Sequence, residues 1–230
     1  MATNMKSSKS LFWDLYARCY DGLLDTIPYQ RLLHKTLGRI PATTGALLDA
    51  GCGTGNLLAA VLRDRPDLRA SLTGIDFSPE MLRHAQSKLP QARLHQANLD
   101  EPLPFADAAF DTITCINVLY AVPCPERTLA ELKRVLKPNG TLIVSSPQAK
   151  PRISAFVCEH ASEVGWIRTL PMLARLSVLV LFNILILRRG SGGVYHFLTP
   201  PAARRLLATD AVESAYSNQN WFATLTKSAI

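Results

Sequence analysis

The sequence has little of what marks a disulfide-bonded, metal-binding or secreted protein. Its five cysteines are scattered, with no Cys-x-x-Cys pair and no cluster with histidine at metal-ligand spacing. This spacing is typical of a reducing compartment and argues against a disulfide framework or a structural zinc. Residues 1–10 are polar and lack the apolar core of a secretory signal. We therefore expect a cytoplasmic protein without a metal site.

Positive charge is in excess but is not concentrated. The chain has 25 Lys and Arg residues against 18 Asp and Glu, which gives a net charge of +7 without a long basic run. Domains that bind nucleic acid usually carry a clustered basic stripe. We therefore expect no nucleic-acid partner.

Strand and helix patterns alternate through most of the 230 residues. Strands are predicted at 46–50, 71–76, 93–96, 111–117 and 141–145, and helices at 56–65, 79–88 and 125–136. Residues 11–39 predict two amphipathic helices interrupted near Pro28, and 138–140 predict a turn. Strands that alternate with helices imply a parallel, doubly wound α/β sheet. Segments 212–216 and 221–226 instead alternate around a polar turn and predict an antiparallel hairpin.

The most informative stretch is a glycine-rich turn at the end of the first predicted strand, Leu47-Leu-Asp-Ala-Gly-Cys-Gly-Thr-Gly55. Glycines allow a sharp turn and a close approach of the backbone to a ligand. Asp76 ends the next predicted strand, where an acid can accept hydrogen bonds from both hydroxyls of a ribose. The third glycine of a dinucleotide fingerprint would fall at Asn56, so the loop suits an amino-acid tail rather than a pyrophosphate.

Four motifs in this order resemble the class I S-adenosylmethionine-dependent methyltransferases, specifically the methyltransferase type 11 group, which includes quinone and phospholipid methyltransferases. They lie at 47–55, 74–82 (Gly-Ile-Asp-Phe-Ser-Pro-Glu-Met-Leu), 103–111 (Leu-Pro-Phe-Ala-Asp-Ala-Ala-Phe-Asp) and 129–140. The resemblance covers about 11–147. It implies a Rossmann-like, doubly wound sheet of seven strands, mostly parallel with an antiparallel C-terminal hairpin, and S-adenosyl-L-methionine as the cofactor.

We expect a single methyltransferase domain over 1–230 with four parts. These are an N-terminal helical cap (1–40), a cofactor-binding core (41–147), an apolar helical lid insertion (148–200), and a C-terminal helix and hairpin (201–230).

The resemblance also implies how the cofactor is held. Gly51 and Gly53 should cradle its methionine part, Asp49 should reach its ammonium directly or through water, and Asp76 should bind the ribose. Asn98 and Leu99 should contact the adenine. Relatives usually have Asp at position 98, but an amide oxygen can also accept from the adenine amino group.

Other residues have two interpretations. Asp100 competes with Asn98 for the adenine. Phe77 and Met81 either pack on the purine or belong to the core. Asn117 lies at the end of the fourth predicted strand, where open α/β sheets bind ligands. Tyr20, with Tyr16, resembles an N-terminal helix motif that closes over the cofactor in lipid and quinone methyltransferases, and packing is the alternative.

Methyl transfer needs alignment of donor and acceptor and exclusion of water more than a dedicated catalytic motif. The catalytic residues are therefore unknown, and His196, Tyr20 and Tyr120 are weak candidates. Asn117-Val-Leu-Tyr120 differs from the [ND]-P-P-[FYW] motif of enzymes that methylate nucleic-acid amino groups. We expect a methyltransferase for a small, apolar acceptor (lipid, isoprenoid or quinone, or polycyclic). The alternatives are a non-methylating reaction assisted by the cofactor and a membrane-docking module without turnover.

Residues 170–187 are apolar except for Arg175, Ser177 and Asn183. As a helix they would be roughly 27 Å long, against about 30 Å of hydrocarbon in a bilayer. A span would bury Arg175 at a cost of roughly 2.5 kcal/mol or more. We therefore favour a lid over an apolar pocket, with Val178 and Leu181 on the covering face, or a peripheral membrane contact through 170–189.

Overall fold

The computed structural model describes residues 13–148, 153–190 and 196–228. The helices are α1 (13–20), α2 (Ile27–Leu37), α3 (Asn56–Asp64), α4 (Pro79–Lys88), α5 (Pro125–Val135), α6 (Ile153–Val164), α7 (Trp166–Gly190) and α8 (Pro200–Leu207). The strands are β1 (Leu47–Ala50), β2 (Leu72–Asp76), β3 (Arg93–Gln96), β4 (Phe110–Ile116), β5 (Leu136–Pro147), β6 (Val212–Ala215) and β7 (Asn220–Thr226). Short 3₁₀ helices lie at Asp21–Asp25, Pro66–Ala70 and Leu119–Ala121.

One sheet of seven strands organises the molecule, in the order β3-β2-β1-β4-β5-β7-β6. The first five strands of this order pair in parallel, and β7 pairs antiparallel with both β5 and β6. The predicted fold class is confirmed. The strand order reverses direction between β1 and β4, and open α/β sheets bind ligands in the crevice at such a point.

The core lies on both faces of the sheet, because the central strands are covered by helices on each side. β1 is buried along its whole length. On β7, the neighbouring residues Trp221 and Phe222 are both fully buried and pack into different clusters, since successive side chains of a strand point to opposite faces. This end of β7 is therefore buried on both faces.

The start of β5 differs from the prediction. A turn was expected at 138–140 before a strand at 141–145, yet β5 extends from Leu136 to Pro147. Its pairing with β4 shifts between Phe110↔Leu136 and Thr112↔Thr141. The residues between form an irregularity in which Asn139 has a φ of 60°. The turn signals therefore mark a bulge within a continuous strand.

The break in the N-terminal region also differs slightly from the prediction. Thr26 is the extended residue, and Pro28 lies in the first turn of α2. Proline is tolerated there because the first N–H groups of a helix have no partner within the helix.

Helices α6 and α7 follow each other between β5 and α8 in the chain and contact each other. Gly165, with a φ of 83°, joins them. Arg31 of α2 pairs with Glu159 and Glu163 of α6. Met172, Leu176 and Leu179 of α7 are buried in the cluster that contains α1. Parts of two predicted regions lie outside the described residues. They are 1–12 of the predicted cap and 149–152 and 191–195 of the predicted lid.

Among the helices in the described ranges, none has the combination of length and apolarity that crossing a bilayer would require.

Candidate cofactor and acceptor site

A large pocket opens at the carboxyl ends of the parallel strands and extends to the start of β7, with α1 and α7 contributing to its wall. Its first part, here the β1–β3 half, is lined by Gly51, Gly53, Asp76, Phe77, Met81, Ala97, Asn98, Leu99 and Asp100. Its second part, the β4–β7 half, is lined by Ile116, Asn117, Val118, Pro147, Tyr216, Gln219 and Asn220. Helical and loop residues complete the wall, among them Trp13, Tyr16, Tyr20, Tyr120, Phe156, Leu176, Leu179, Val180 and Phe197.

The glycine loop keeps the pocket open at the end of β1. Gly51 and Gly53 have φ angles of 80° and 52°. A Cβ on Gly51 would lie 2.3 Å from Cγ2 of Val118. A Cβ on Gly53 would lie 3.8 Å from both Sδ of Met81 and Cε1 of Tyr20, which are two wall residues. The missing side chain therefore leaves room for a ligand between the loop, α4 and α1.

Two backbone N–H groups hold the Asp76 carboxylate in place. Its Oδ2 accepts a hydrogen bond of 2.8 Å from the Gly53 N–H, and its Oδ1 accepts one of 2.9 Å from the Ser78 N–H. Desolvation raises the pKa of this carboxyl, although the backbone donors act in the opposite direction. Each carboxylate oxygen has a second lone pair. The geometry therefore fits the expected role of Asp76 as an acceptor for two hydroxyls.

The far edge of this half is formed by the segment after β3. Asn98, Leu99 and Asp100 all line the wall, as do Phe77 and Met81. The Asn98 amide is held by two contacts, since its Oδ1 accepts from the Asp100 N–H at 3.1 Å and its Nδ2 donates to Oε1 of Glu101 at 3.1 Å. An aspartate at position 98 would face the Glu101 carboxylate. This contact gives a physical reason for an amide where relatives usually have an acid.

Two predicted residues do not line the pocket. Asp49 is buried behind the loop and accepts a hydrogen bond of 2.7 Å from Oγ1 of Thr114. Desolvation and, to a smaller extent, the nearby Asp76 raise its pKa to about 7, although the hydrogen bond from Thr114 acts in the opposite direction. His196 is also outside the wall, but its backbone N–H donates to the Tyr120 carbonyl at 2.7 Å. The next residue, Phe197, stacks on Tyr120 with ring centroids 5.5 Å apart.

A cluster of aromatic rings from the N-terminal helices, α6, α7 and the hairpin forms part of the pocket wall. Tyr16 contacts Tyr20 and, edge to face, Phe182 of α7, while Tyr216 contacts Tyr29 and Phe156. The motif in α1 indicated Tyr16 and Tyr20. Tyr216 and Phe156 carry no local signal, because they reach the pocket only through the packing of the hairpin and α6.

Tyr20 is a poor candidate for a general base. Desolvation raises the pKa of its phenol well above the usual value, and the neighbouring tyrosines act in the same direction. Its hydroxyl lies 3.5 Å from that of Tyr29. The phenol therefore stays protonated at neutral pH and can donate a hydrogen bond.

Asp21, next to Tyr20, connects the predicted N-terminal cap to the glycine loop. Its Oδ1 accepts from Oγ1 of Thr54 at 2.5 Å and from Nζ of Lys88 at 2.7 Å. Lys88 also donates to Oδ1 of Asn56 at 2.6 Å. These contacts join the segment after α1 to the glycine loop and to the end of α4.

The β4–β7 half is apolar apart from amide side chains. Asn220 donates from Nδ2 to Oγ of Ser145 at 2.9 Å and to Oδ1 of Asn117. Ser145 donates its hydroxyl hydrogen to the Trp221 carbonyl, so it must accept from Asn220, and this fixes the orientation of the amide. Within the described residues, the Asn220 Oδ1 is buried without a hydrogen-bond partner.

Helix α7 presents one face to the pocket and another to solvent. Leu176, Leu179 and Val180 line the wall. Val178 and Leu181, which were expected on the covering face, are 52% and 57% exposed. That expectation was wrong, because the apolar residues of α7 surround the helix and the sequence does not indicate which of them face inward.

The pattern of motifs is shared with characterised proteins. A family profile described as "Methyltransferase domain" (Methyltransf_11) matches residues 48–144. The chain is 32% identical to a phosphatidylethanolamine N-methyltransferase of Cereibacter sphaeroides over 143 residues, which are 57% of this chain and 68% of that protein. The chain belongs to the class I S-adenosylmethionine-dependent methyltransferases.

Other relatives of this methyltransferase match over a smaller part of their length. A ubiquinone/menaquinone biosynthesis C-methyltransferase of Desulfotalea psychrophila is 38% identical over 116 residues, which are 49% of this chain and 46% of that protein. A Haloferax volcanii methyltransferase, solved in complex with the Trm112 methyltransferase activator, has the same fold. It superposes with a TM-score of 0.65 at 18% identity, over 94% of this chain and 98% of that one.

The residues of the β1–β3 half fit the family's cofactor, S-adenosyl-L-methionine. The open side of Gly53 leaves room for a ligand, Asp76 has free lone pairs for hydroxyls, and Asn98 and Asp100 offer polar groups at the far edge. The roles predicted for individual residues, including that of Asp49, stay predictions.

Replacing Asp76 should weaken cofactor binding strongly. Asp76→Ala removes two charge-assisted hydrogen bonds, which should cost roughly 2–4 kcal/mol, or about 30- to 1,000-fold in Kd. Isothermal titration calorimetry with S-adenosylmethionine measures this directly. Circular dichroism checks that the variant folds, because Gly53 and Ser78 also lose an acceptor. Unchanged affinity in a folded variant would contradict the assignment.

Replacing Asp49 should stabilise the fold in a pH-dependent way. The folded-state pKa is about 7 against an ordinary value of 3.8, so the folded state retains a proton that the unfolded state loses as the pH rises. The contribution of Asp49 to the wild-type free energy of unfolding should therefore fall between about pH 4 and pH 7. Asp49→Asn keeps an acceptor for Thr114 and removes this loss. We expect it to be more stable than wild type by roughly 2–4 kcal/mol at pH 8 and by much less at pH 4.5.

Urea denaturation without cofactor at both pH values tests this prediction. A difference in stability between Asp49→Asn and wild type that does not change with pH would show that Asp49 is ionised in the folded protein. If Asp49 also holds the cofactor ammonium, the same variant should bind S-adenosylmethionine more weakly despite its higher stability.

Proposed function

We propose that this methyltransferase transfers a methyl group from S-adenosylmethionine to a small, neutral and largely apolar acceptor that lies in the β4–β7 half of the pocket. One observation carries the proposal. Among the described wall residues, the charged side chains are Asp76 and Asp100, and both belong to the β1–β3 half. An acceptor with a buried carboxylate or phosphate would find no counter-charge next to β4, β5 and β7.

The two halves of the pocket differ in a way that supports the proposed positions of cofactor and acceptor. The glycine loop, Asp76 and the segment at Asn98 surround the β1–β3 half, where they would hold the cofactor. Bound there, the cofactor would supply a methyl group on a positively charged sulfur. An acceptor nucleophile would attack the methyl carbon in line with the sulfur, which would leave as a neutral thioether. The chain's own part is to align the acceptor and to keep water out, and Tyr16, Tyr20 and α7 are placed to do both.

The residues of the pocket wall also indicate which side chains could remove a proton from the acceptor. The histidine that was a candidate base, His196, does not line the pocket, and the Tyr20 phenol stays protonated. Tyr120 lines the wall and remains a candidate. We infer that the acceptor nucleophile does not depend on a histidine base. The amides of Asn117 and Asn220, which line the wall of the β4–β7 half, then orient its polar end.

The names of two relatives agree with an apolar acceptor. One is a phosphatidylethanolamine N-methyltransferase and the other a quinone-biosynthesis C-methyltransferase. The second name describes an acceptor with a bulky apolar part. Phosphatidylethanolamine has long apolar chains, but its headgroup phosphate would have to lie outside the β4–β7 half. A lipid, an isoprenoid or quinone, or a polycyclic compound is therefore the acceptor class that we propose.

Helix α7 offers a matched pair of variants for testing this function. Val180 lines the pocket, whereas Val178 is 52% exposed on the same helix. Val180→Asp places a charge in an apolar pocket and should lower turnover about 10- to 100-fold, while the Kd for S-adenosylmethionine changes by less than about threefold. Val178→Asp should leave both close to wild type when the acceptor is dispersed in detergent.

The acceptor for this assay comes from a panel of lipids, quinones and polycyclic compounds incubated with cofactor labelled in the methyl group. Mass spectrometry of small molecules retained by the purified protein narrows the panel. A similar loss of turnover in both valine variants would contradict a pocket beneath α7. Methyl transfer to anionic polar acceptors alone would contradict the acceptor class.

A further inference from the structure

The outer face of α7 carries nearly all of the large apolar side chains that are exposed in the described residues. They are Trp166 (58% exposed), Ile167 (87%), Leu170 (63%), Val178 (52%), Leu181 (57%) and Ile184 (37%). Leu15 of α1, at 42%, is the remaining one in the described ranges. At about 100° per residue these side chains fall within one third of the helix circumference, in two groups at 166–170 and 178–184, with exposed Ala174 and Ser177 between the groups. Exposed apolar side chains gathered on one side of a helix mark an interaction site.

The charge of this helix indicates what covers that face. Residues 166–190 contain four arginines, Arg168, Arg175, Arg188 and Arg189, and no acidic residue. The Arg175 side chain is 74% exposed and lies 3.7 Å from Oδ2 of Asp25. Exposed apolar residues together with arginines match the headgroup region of a bilayer that contains anionic lipids. The positive charge of this helix instead opposes the close approach of a second, identical helix.

The position of the pocket is a further reason to expect a membrane on the outer face of α7. The inner face of α7 contributes Leu176, Leu179 and Val180 to the pocket wall, so a membrane on the outer face would lie one helix diameter from the proposed acceptor site. Because no described helix can cross a bilayer, α7 would lie along the surface.

We propose that the outer face of α7 docks on the surface of a membrane that contains anionic lipids. The consequence that an apolar acceptor enters the pocket from the lipid beneath α7 rests on the proposed function. The docking itself does not, because it depends only on the exposed residues and the arginines.

Vesicle binding tests the docking directly. The full chain is mixed with vesicles of phosphatidylcholine alone or of phosphatidylcholine with phosphatidylglycerol, and bound protein is measured by co-sedimentation. We expect binding at least tenfold tighter to the phosphatidylglycerol vesicles, and weaker binding as salt is raised. Ile167→Asp with Leu170→Asp should reduce it at least tenfold. Val180→Asp, which changes the inner face, should leave vesicle binding within about twofold of wild type.

Tryptophan fluorescence locates the contact. Of the three tryptophans, Trp166 is exposed, Trp13 is half-buried in the pocket wall and Trp221 is fully buried, so brominated lipids should quench chiefly Trp166 on docking. Trp166→Phe should abolish most of this quenching while co-sedimentation persists. Cofactor affinity and circular dichroism confirm that each variant folds.

Three results would overturn the proposal. The first is no binding to either vesicle by the folded wild type. The second is binding that Ile167→Asp with Leu170→Asp does not change. The third is a concentration-dependent dimer in light scattering that this double variant abolishes, since the face would then be a subunit interface. Vesicle binding without methyl transfer to any acceptor would contradict only the proposed function, and methyl transfer without vesicle binding only the docking.

Discussion

The hydrogen bond from the Gly53 N–H to the Asp76 carboxylate joins the two segments on which the site depends. The donor lies in the loop after β1, and the acceptor ends β2. These strands are adjacent and parallel, so their carboxyl ends meet at one edge of the sheet. The same carboxylate accepts from Ser78, whose hydroxyl caps α4 by accepting from the Met81 N–H at 3.1 Å. One side chain thus fixes a loop, a strand end and a helix start around the mouth of the pocket.

Much of the fold and half of the site could be predicted from the sequence, because they depend on local features. Periodicity indicated the strands and the hairpin, and the glycine loop with Asp76 indicated the β1–β3 half. The β4–β7 half was largely missed. Tyr216 and Asn220 lie far from the motifs along the chain, and only the pairing of β7 with β5 brings Asn220 to Pro147. No local pattern records such a contact.

Helix α7 shows a second limit of sequence reasoning. Its apolar residues are distributed around the helix, so periodicity does not separate an inner from an outer face. Packing against α1 makes that distinction, because Leu176 and Leu179 are buried there while Leu181 faces solvent. The same property that hides the orientation of the helix in the sequence lets one helix serve two surfaces, a pocket wall within and an apolar face outside.

The position of β7 in the sheet has a consequence for how the protein forms during synthesis. The β1–β3 half uses residues that precede β4, whereas the β4–β7 half needs Asn220, which pairs with the end of β5. A chain that emerges from the ribosome N-terminus first therefore contains the residues for one half of the pocket well before those for the other. Until β7 inserts between β5 and β6, the edge of β5 is unpaired and the apolar wall is incomplete. During synthesis there is therefore a stage at which the residues of the β1–β3 half have been made, whereas Asn220, which completes the β4–β7 half, has not.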